Sequence, residues 1–576
     1  MNDRQQGIFG IDLGTTYSVV AYIDETGRPA VTRNSDGDDT TPSVVYFETE
    51  DNVVVGKAAK ASAGVDPDNV VSLIKRQMHN KDYLRYFWGK EHSPSSISAL
   101  ILAELARSAE ETTHRAVRQV VITVPAYFGL LEKDATKKAG EIAGLEVIGI
   151  VPEPVAAALA YGVTGSADGT TFLVYDLGGG TFDITLIKMT DTSVEVLAVD
   201  GDHNLGGADW DERLFEYLKE QTVAQTGFED IDEDEGALQD LRRMAEETKQ
   251  ALSKAESKTV AHRLAGKPAK IVVTRAQFQE MTTDLLEKTI EITRRMLADA
   301  EQRFPGIKDQ VSELLLVGGS SWMPAVSERL RAEFPWDPRV ADPDLAVAKG
   351  AALYAAGQTV KLVEAEAAAE VGGQDASADA SHRGTLPPGP SGAPSEAAIA
   401  VVTERTGMDA GQVAGVVRTV VNVLPKAVGI KLVDSGVAGW EELPDDQLPF
   451  YIEHLVPAQT QLPFDAEKFI AGTTVNNQRT IAIEIWEQAG AVPDPALDSN
   501  HRVDDAGLIE GLGPFSLAAG SPIEITVRVD AEGTVNLLAV EPTSGKELTM
   551  SVKITVMSDE KVEEYKATVS ALIKSR

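Results

Sequence analysis

The sequence Ile11-Asp12-Leu13-Gly14-Thr15-Thr16 has a longer counterpart in Tyr175-Asp176-Leu177-Gly178-Gly179-Gly180-Thr181-Phe182-Asp183. Each stretch follows or includes a short apolar run, which predicts a strand that ends in a tight turn. Glycine lets backbone amides approach a phosphate closely, threonine adds a hydroxyl donor, and aspartate can hold a divalent cation directly or through water. One such turn alone is more typical of an ordinary hairpin. Two of them, facing each other, predict a clamp around a nucleotide.

Composition limits what else the chain can do. The 576 residues include 53 basic and 89 acidic side chains, and the net charge of -36 disfavours binding to nucleic acid or to an anionic membrane. The sequence contains no cysteine, which excludes disulfides, thiolate catalysis and cysteine-ligated metals. The sequence shows neither a signal-type apolar core nor an apolar run of membrane-spanning length. We therefore expect a cytoplasmic protein.

The pattern along the chain predicts two folded domains joined by a linker. Residues 1–357 alternate short apolar strands with amphipathic helices, as α/β proteins do. Residues 358–415 are rich in Pro, Gly and Ala, and we expect a flexible linker that could contain one short helix. Residues 416–557 carry apolar side chains at every second position of several runs, which predicts an antiparallel β-sandwich. Residues 558–576 place their apolar side chains on one stripe of a single C-terminal helix.

Five sequence blocks carry a resemblance to a known family. They are similar, in the same order along the chain, to the signature blocks of DnaK-type chaperones, the seventy-kilodalton heat-shock family. The blocks are Ile11-Asp-Leu-Gly-Thr-Thr16, Thr123-Val-Pro-Ala-Tyr-Phe128, Glu153-Pro-Val-Ala-Ala-Ala-Leu-Ala-Tyr-Gly162, Asp176-Leu-Gly-Gly-Gly-Thr-Phe-Asp183 and Leu205-Gly-Gly207. Weaker similarity continues in the C-terminal half at Val428-Gly-Ile430, Gln459-Thr-Gln-Leu-Pro463, Asn477-Gln478 and Ser544-Gly-Lys-Glu547.

The resemblance implies an actin-like ATPase domain of two lobes that close over ATP or ADP with Mg²⁺, and K⁺ is a further candidate ion. Hydrolysis of ATP needs charge neutralisation and positioning more than covalent chemistry. The sequence lacks the Gly-x-x-x-x-Gly-Lys-Ser/Thr motif of P-loop proteins, which argues against P-loop chemistry. The implied catalytic residues are Lys75, Glu153, Asp176, Thr181 and Asp183. Mg²⁺ would be held, largely through water, by Asp12, Asp176 and Asp183. The nucleotide phosphates would lie among Asp12, Gly14, Thr15, Thr16, Tyr17, Gly178, Gly179, Gly180, Thr181 and Gly207.

A second group of residues aligns with the adenosine site of the family. The group consists of Glu246, Lys249, Ser253, Gly318, Gly319, Ser320, Trp322 and Asp344. Glu246, Lys249 and Ser253 share one face of a predicted helix, although an exposed charge pair is the ordinary interpretation of that spacing. Trp322 stands where the family has arginine. An indole there could stack on adenine instead of placing a cation over its face.

Three departures from the family pattern concern partners and coupling. Gly149 stands where the family has the arginine that contacts J-domain cochaperones, so that such a partner is left open, while a nucleotide exchange factor stays a candidate. Lys133 replaces another arginine and cannot make a forked contact. The apolar interdomain linker is reduced to Thr419-Val-Val-Asn-Val423, with Asn422 in place of an aspartate. We expect the coupling between the two domains to be weakened.

The resemblance also implies that the β-domain binds extended apolar segments of unfolded polypeptides through main-chain hydrogen bonds and a side-chain pocket. Alignment with the family places Ile481 in that pocket, with Thr474 and Val433 near an arch over the peptide. Ile481 and Val433 are equally well interpreted as core residues of the sandwich. The single C-terminal helix is too short to form the helical lid of the family, and we interpret it as a vestige of that lid.

The sequence therefore indicates an ATP-dependent chaperone of the DnaK type with a truncated lid. A nucleotide-sensing scaffold that holds one dedicated protein partner is the alternative, and phosphate release with and without unfolded peptide would separate the two. A small-molecule kinase of the same superfold is a poorer third interpretation, because a β-sandwich follows and no sugar-binding insertion is apparent.

Overall fold

The computed structural model describes residues 6–164, 169–340, 342–371, 394–444, 447–476, 478–490, 492–503, 507–509, 517–531, 533–543, 545–552 and 556–574. Within these residues the chain forms two α/β lobes, a set of connecting helices, a β-domain and a C-terminal helix. Among the helices described, none combines the length and the apolar character that crossing a bilayer requires.

Lobe I is built on a mixed sheet. Its strands are β1 (Phe9–Asp12), β2 (Tyr17–Ile23), β3 (Pro29–Val31), β4 (Thr41–Pro42), β5 (Val45–Phe47), β6 (Val53–Val55), β7 (Val70–Val71), β8 (Arg85–Phe87), β9 (Lys90–His92), β10 (Gln119–Val124) and β11 (Glu146–Pro152). Its helices are α1 (Lys57–Ser62), α2 (Pro94–Thr113), α3 (Leu130–Ile142) and α4 (Glu153–Thr164). The main sheet has the order β11-β10-β1-β2-β3, with β4 beside β2.

Lobe II is built on a second mixed sheet. Its strands are β12 (Thr170–Leu177), β13 (Phe182–Met189), β14 (Ser193–Asp202), β15 (Ser257–Leu264), β16 (Lys267–Thr274), β17 (Val311–Val317) and β18 (Pro338–Val340). Its helices are α5 (Gly207–Thr226), α6 (Glu235–Leu252), α7 (Arg275–Met281), α8 (Thr283–Arg303), α9 (Ile307–Gln310) and α10 (Pro324–Glu333). The main sheet runs β18-β17-β12-β13-β14.

The two lobes repeat one strand arrangement, and each glycine- and threonine-rich turn occupies the same place in its lobe. β1 pairs in parallel with β10 and antiparallel with β2, and β12 likewise pairs in parallel with β17 and antiparallel with β13. The turns follow β1 and β12. Both strands are buried on both faces, since the adjacent residues Phe9 and Gly10 of β1 and Val174 and Tyr175 of β12 are all buried. Apolar packing therefore fixes each strand and the turn at its end.

Three helices follow lobe II: α11 (Ala346–Val371), α12 (Glu396–Thr406) and α13 (Ala410–Val416). They correct the prediction of a flexible linker over residues 358–415 at both of its ends. Val402 and Val413 are fully buried in the apolar core that α11 shares with the lobes, so apolar burial orders this part of the chain. The Pro- and Gly-rich composition that predicts a linker comes mainly from residues 372–393, which lie outside the described residues.

The β-domain is an antiparallel sandwich, as predicted. The strands of this half are β19 (Thr419–Val421), β20 (Val423–Leu424), β21 (Val428–Val433), β22 (Phe450–Val456), β23 (Thr460–Gln461), β24 (Phe464–Asp465), β25 (Phe469–Gly472), β26 (Ile481–Ile483), β27 (Ile485–Gln488), β28 (Asn500–Arg502), β29 (Gly507–Ile509), β30 (Pro522–Val529), β31 (Val535–Glu541) and β32 (Lys546–Val552). One sheet has the order β22-β21-β27-β28, and the other runs β24-β30-β31-β32 with β25 also beside β30. β19 instead pairs in parallel with β14 and extends the sheet of lobe II.

The C-terminal helix, α14 (Asp559–Lys574), packs against lobe I. Its predicted apolar stripe supplies Val562, Tyr565, Val569 and Leu572, all of them buried in the core of that lobe. The helix that resembles a vestigial lid therefore lies on the ATPase domain in this structure.

The β-domain also packs directly on lobe I, at the start of α3. Leu130 and Leu131 of that helix are buried in the same apolar cluster as the core of the sandwich. Beside them, Lys426 and Glu132 form a buried ion pair with 2.8 Å between Nζ and Oε1. The amide of Leu130 donates to Oε1 of Glu487 at 2.9 Å. Apolar contact and buried charge together join the two domains.

We predict that Glu132→Ala destabilises the protein, because the Lys426 ammonium stays buried without its partner. The expected loss is about 3 kcal/mol in the free energy of unfolding, measured by urea denaturation. The double variant Glu132→Leu, Lys426→Met removes both charges and should recover part of that loss, because Glu487 stays buried nearby without the Lys426 charge. An unchanged unfolding midpoint in Glu132→Ala would show that the pair contributes nothing to stability.

Candidate nucleotide site

The two turns predicted to face each other lie in contact. A Cβ atom built on Gly180 would lie 2.6 Å from Cβ of Thr15, and one built on Gly179 would lie 2.6 Å from Cγ2 of Thr16. Neither glycine can therefore be replaced without moving the opposite turn. Gly14 is equally restricted within its own turn, where a side chain would overlap the carbonyl of Tyr17.

The turn of lobe II is held by hydrogen bonds from three directions. The Gly178 amide donates to the Thr181 carbonyl at 3.0 Å, and the Gly178 carbonyl accepts from the Gly207 amide and from Oγ of Ser320, each at 2.9 Å. The Ala208 amide donates to the Gly179 carbonyl at 2.7 Å. The predicted residues Gly207 and Ser320 thus position the turn.

Three predicted aspartates lie in this region, with Asp176 and Asp183 buried and Asp12 half-buried, and the pKa of each is raised. Burial raises the pKa of Asp12 to about 7, with a further increase from the Glu153 charge. Burial likewise raises the pKa values of Asp176 and Asp183 well above the ordinary range, and the charge of Glu153 adds to both. Oγ1 of Thr123 donates to Asp12 at 2.8 Å. A nearby cation would therefore stabilise the ionised form of all three carboxyl groups.

Lys75 and Glu153 lie beside these carboxylates as a buried ion pair, with 2.5 Å between Nζ and Oε1. Lys75 belongs to a short 3₁₀ segment of lobe I, and Glu153 is the first residue of α4. The two side chains come from positions 78 residues apart. The structure therefore brings together the predicted lysine and the predicted glutamate.

The carboxylate group fits a hydrated divalent cation. Oδ2 of Asp183 is buried and has no hydrogen-bond partner among the described residues, while its Oδ1 accepts from the Tyr127 amide at 3.4 Å. Among the described residues, no three histidine or carboxylate side chains converge closely enough to ligate a metal directly. Oxygen ligands are those that Mg²⁺ prefers, and Mg²⁺ usually keeps several of its waters. Asp12, Asp176 and Asp183 are thus suited to hold the waters of the ion.

The predicted adenosine helix faces lobe I across the cleft. Glu246 of α6 accepts from Lys60, with 2.5 Å between Nζ and Oε2, and from the Tyr17 hydroxyl at 2.9 Å. Burial would raise the pKa of Glu246, but the neighbouring Lys60 ammonium overcomes it and lowers that pKa. Lys249 donates to the Gly207 carbonyl at 2.8 Å. Glu246 therefore connects the helix to Tyr17, next to the lobe I turn, and Lys249 connects it to Gly207, which in turn donates to Gly178 of the lobe II turn.

The remaining rim residues follow β17. The Gly318 backbone has a positive φ of 80°, and a side chain there would overlap Asp176. A Cβ on Gly319 would lie 2.7 Å from Oδ1 of Asp344. Trp322 is 52% exposed, and its Nε1 donates to Oδ2 of Asp344 at 3.0 Å. The indole thus lies at the rim, fixed at its nitrogen and open to solvent.

Ser253 makes its side-chain hydrogen bond within α6, where Oγ donates to the Lys249 carbonyl at 3.3 Å. Its hydroxyl can still accept a hydrogen bond from a ligand. The position of Ser253, one turn after Lys249, agrees with the predicted helix face.

Two basic residues at the site were missed by the sequence analysis. Arg76 donates through Nε to the Gly180 carbonyl at 2.9 Å and through Nη2 to Asp209 at 2.7 Å. Arg76 could have been predicted from its position next to Lys75. Lys60 crosses the cleft to Glu246 over a sequence separation of 186 residues, and no local pattern identifies such a pair.

The predicted peptide-binding residues lie on separate elements of the β-domain. Val433 ends β21 and is half-buried opposite Phe450. Thr474 follows β25, and its amide donates to Oε1 of Gln478 at 3.0 Å. Ile481 begins β26 and packs, partly buried, against the sandwich core. The core interpretation of Ile481 is thus supported by packing, and the peptide role of all three residues stays a prediction.

Two comparisons relate the chain to known proteins. Residues 8–362 match the family model described as Hsp70 protein. The chain is 33% identical over 573 residues to the protein named chaperone protein DnaK of Halobacterium salinarum, in an alignment that covers 98% of this chain and 78% of the relative. The resemblance drawn from the signature blocks is confirmed.

We predict that Gly180→Ala destabilises the nucleotide-free protein, because the new methyl group would overlap Thr15. A loss of about 1 to 3 kcal/mol is expected for such overpacking, measured by urea unfolding. Gly178→Ala is the matched control in the same turn, since its nearest neighbour would lie at 3.4 Å, an ordinary contact distance. Equal stabilities of the two variants would contradict the close approach of the turns.

Proposed function

The chain belongs to the Hsp70 family and is an ATP-dependent molecular chaperone that binds peptide segments, and from this premise we propose which of its residues carry out each step. ATP is bound and hydrolysed within residues 1–357, and peptides are bound within residues 416–557. The observation that carries the proposal is the contact between the turns at Thr15 and Gly180, beside the buried Asp176 and Asp183 and the half-buried Asp12.

The two turns bind the phosphates from opposite sides. Thr15 and Thr16 offer hydroxyl donors from lobe I, while Gly179, Gly180 and Thr181 offer backbone amides and a hydroxyl from lobe II. Donors fixed before the reaction need no reorganisation as charge develops in the transition state. The buried strands β1 and β12 supply that rigidity.

Mg²⁺, when bound, would neutralise negative charge on the phosphates. Asp12, Asp176 and Asp183 would hold its waters, and K⁺ stays a candidate second ion. The raised pKa values of these carboxylates support the assignment, because a cation would relieve the repulsion that burial imposes. The carboxylates of Asp12, Asp176 and Asp183 provide the negative charge and the hydrogen-bond acceptors for the waters of the ion.

Lys75, Glu153, Thr181 and Asp183 would position the attacking water. Oδ2 of Asp183 is free to accept a proton from that water. Glu153 fixes the Lys75 ammonium at 2.5 Å, so that the positive charge is held ready for the transition state. The reaction is accelerated by positioning and electrostatics.

A short backbone path connects this chemistry to the β-domain. The Tyr127 amide donates to Asp183, and three residues later the Leu130 amide donates to Glu487 of β27. A shift in the position of Asp183 on hydrolysis would move residues 127–130 and alter the docking of the β-domain. Peptide affinity would change as a result, with Ile481 as the residue proposed for the pocket and Val433 and Thr474 beside it.

We further propose a cytoplasmic location, supported by the need for ATP and by the cysteine-free sequence. Unfolded polypeptide segments are the proposed clients. A nucleotide exchange factor is a proposed partner because nucleotide bound between the two lobes leaves slowly unless they separate.

We predict that Lys75→Ala lowers the single-turnover rate of ATP hydrolysis by about two orders of magnitude while ATP affinity stays within about tenfold, as expected for a contact made in the transition state. Phosphate release under single-turnover conditions is the measurement. The control is Lys57→Ala, which changes an exposed lysine of the same lobe. A variant rate equal to that of the wild type would remove Lys75 from the mechanism.

We predict that Trp322→Ala weakens ATP binding by about 1 kcal/mol, the size of an aromatic contact beyond area burial. Trp322→Phe keeps an aromatic ring but loses the hydrogen bond to Asp344, and it should retain most of the affinity. Titration calorimetry measures both variants. If Trp322→Ala binds ATP as the wild type does, the indole does not contact the base.

A further inference from the structure

Residues 395–421, which we call the strap, run continuously from α11 past lobe I to lobe II. The strap contains the N-cap residue Ser395, helices α12 and α13, and strand β19. At its start, the Ser395 amide donates to Oε1 of Glu364 in α11 at 3.0 Å. This hydrogen bond fixes the start of the strap on α11, and the residues after Ser395 contact lobe I and then lobe II.

The junction between α12 and α13 is fitted to the turn that joins β2 and β3 of lobe I. Gly407 ends α12 with a φ of 71°, and a Cβ atom there would lie 2.9 Å from the carbonyl carbon of Glu25. On the side of the lobe, a Cβ atom at Gly27 would lie 3.0 Å from Cα of Met408. The two backbones therefore touch at glycines, and a side chain at Gly407 would push them apart.

Polar and apolar contacts strengthen this attachment to lobe I. Arg115 donates to the carbonyl of Ile23 at 3.0 Å and to that of Arg405 at 3.5 Å, so that one guanidinium joins the lobe to the strap. Val402 and Val413 are fully buried in the apolar cluster that α11 shares with both lobes, including Ile23 of lobe I. Removing the strap from the lobe would expose these side chains to water.

The other end of the strap is attached to lobe II. β19 pairs in parallel with β14, and the Thr419 amide donates to the Thr192 carbonyl at 2.9 Å. Nη1 of Arg418 lies 3.3 Å from the sulfur of Met189 in β13. Residues 409–418 separate this attachment from Met408, and seven of them form α13. Because this connection is short and mostly helical, it can lengthen only if α13 unwinds.

We propose that the strap restrains the separation of the two lobes and thereby slows the release of bound nucleotide. The inference rests on the proposed nucleotide site between the turns. Thr15 and Thr181 are buried where the turns meet, and a ligand enclosed between two bodies leaves when they move apart. A relative motion that increases the distance between residue 25 and residue 192 has to stretch the strap or detach one end.

The first test changes the attachment to lobe I. Gly407→Ala places a methyl group against Glu25 and should accelerate release of a fluorescent ADP derivative by about fivefold or more, the lower end of typical coupling between sites. Gly306→Ala is the matched control, because Gly306 has a similar φ of 84° but open space around it. Equal release rates in the two variants would contradict the proposal.

The second test fixes the attachment to lobe II and does not depend on the stability of the first variant. Ser193 and Thr419 are paired residues of β14 and β19, and the natural chain has no cysteine, so Ser193→Cys with Thr419→Cys allows one disulfide. Oxidation should slow ADP release, and reduction should restore the rate of the wild type. Failure of the disulfide to form, or equal rates in both redox states, would overturn the proposal. Absence of nucleotide binding by the wild type would instead overturn the proposed nucleotide site.

Discussion

The contact between Gly180 and Thr15 is the constraint on which the two-lobed architecture depends. A turn from each lobe has to arrive at the same place, at a separation that leaves no room for a side chain at either Gly179 or Gly180. Flexible loops would not hold such an approach. Both turns instead follow strands buried on two faces, in sheets with matching strand arrangements. The two cores of the ATPase domain therefore fix the distance between the two turns.

A second constraint comes from charge. Asp176 and Asp183 are buried and Asp12 is half-buried near Glu153, and desolvation together with the Glu153 charge raises the pKa of all three. Glu153 is paired with Lys75, whereas Oδ2 of Asp183 has no partner. Such a group is destabilising on its own and suited to bind a cation. The buried carboxylates therefore lower the stability of the nucleotide-free protein and raise its affinity for a cation.

Much of this arrangement could be predicted from local sequence. Glycine spacing identifies the two turns, strand periodicity identifies the sandwich, and the apolar stripe of α14 predicts its helix. The contact of Lys60 with Glu246 and the ion pair of Glu132 with Lys426 could not be predicted, because they join residues far apart in the chain. The Pro- and Gly-rich composition next to α12 and α13 predicts a linker there, whereas the buried side chains of Val402 and Val413 order both helices.

The pairing of β19 with β14 has a consequence for solubility. β14 spans ten residues, and its first three are paired with β19 at what would otherwise be the outer edge of the lobe II sheet. An uncovered strand edge offers unpaired N–H and C=O groups to any other extended chain. Whenever β19 leaves, the lobe presents such an edge, and an unfolded client held nearby could add to it. The interdomain strand therefore also protects the chaperone from aggregating with the molecules it handles.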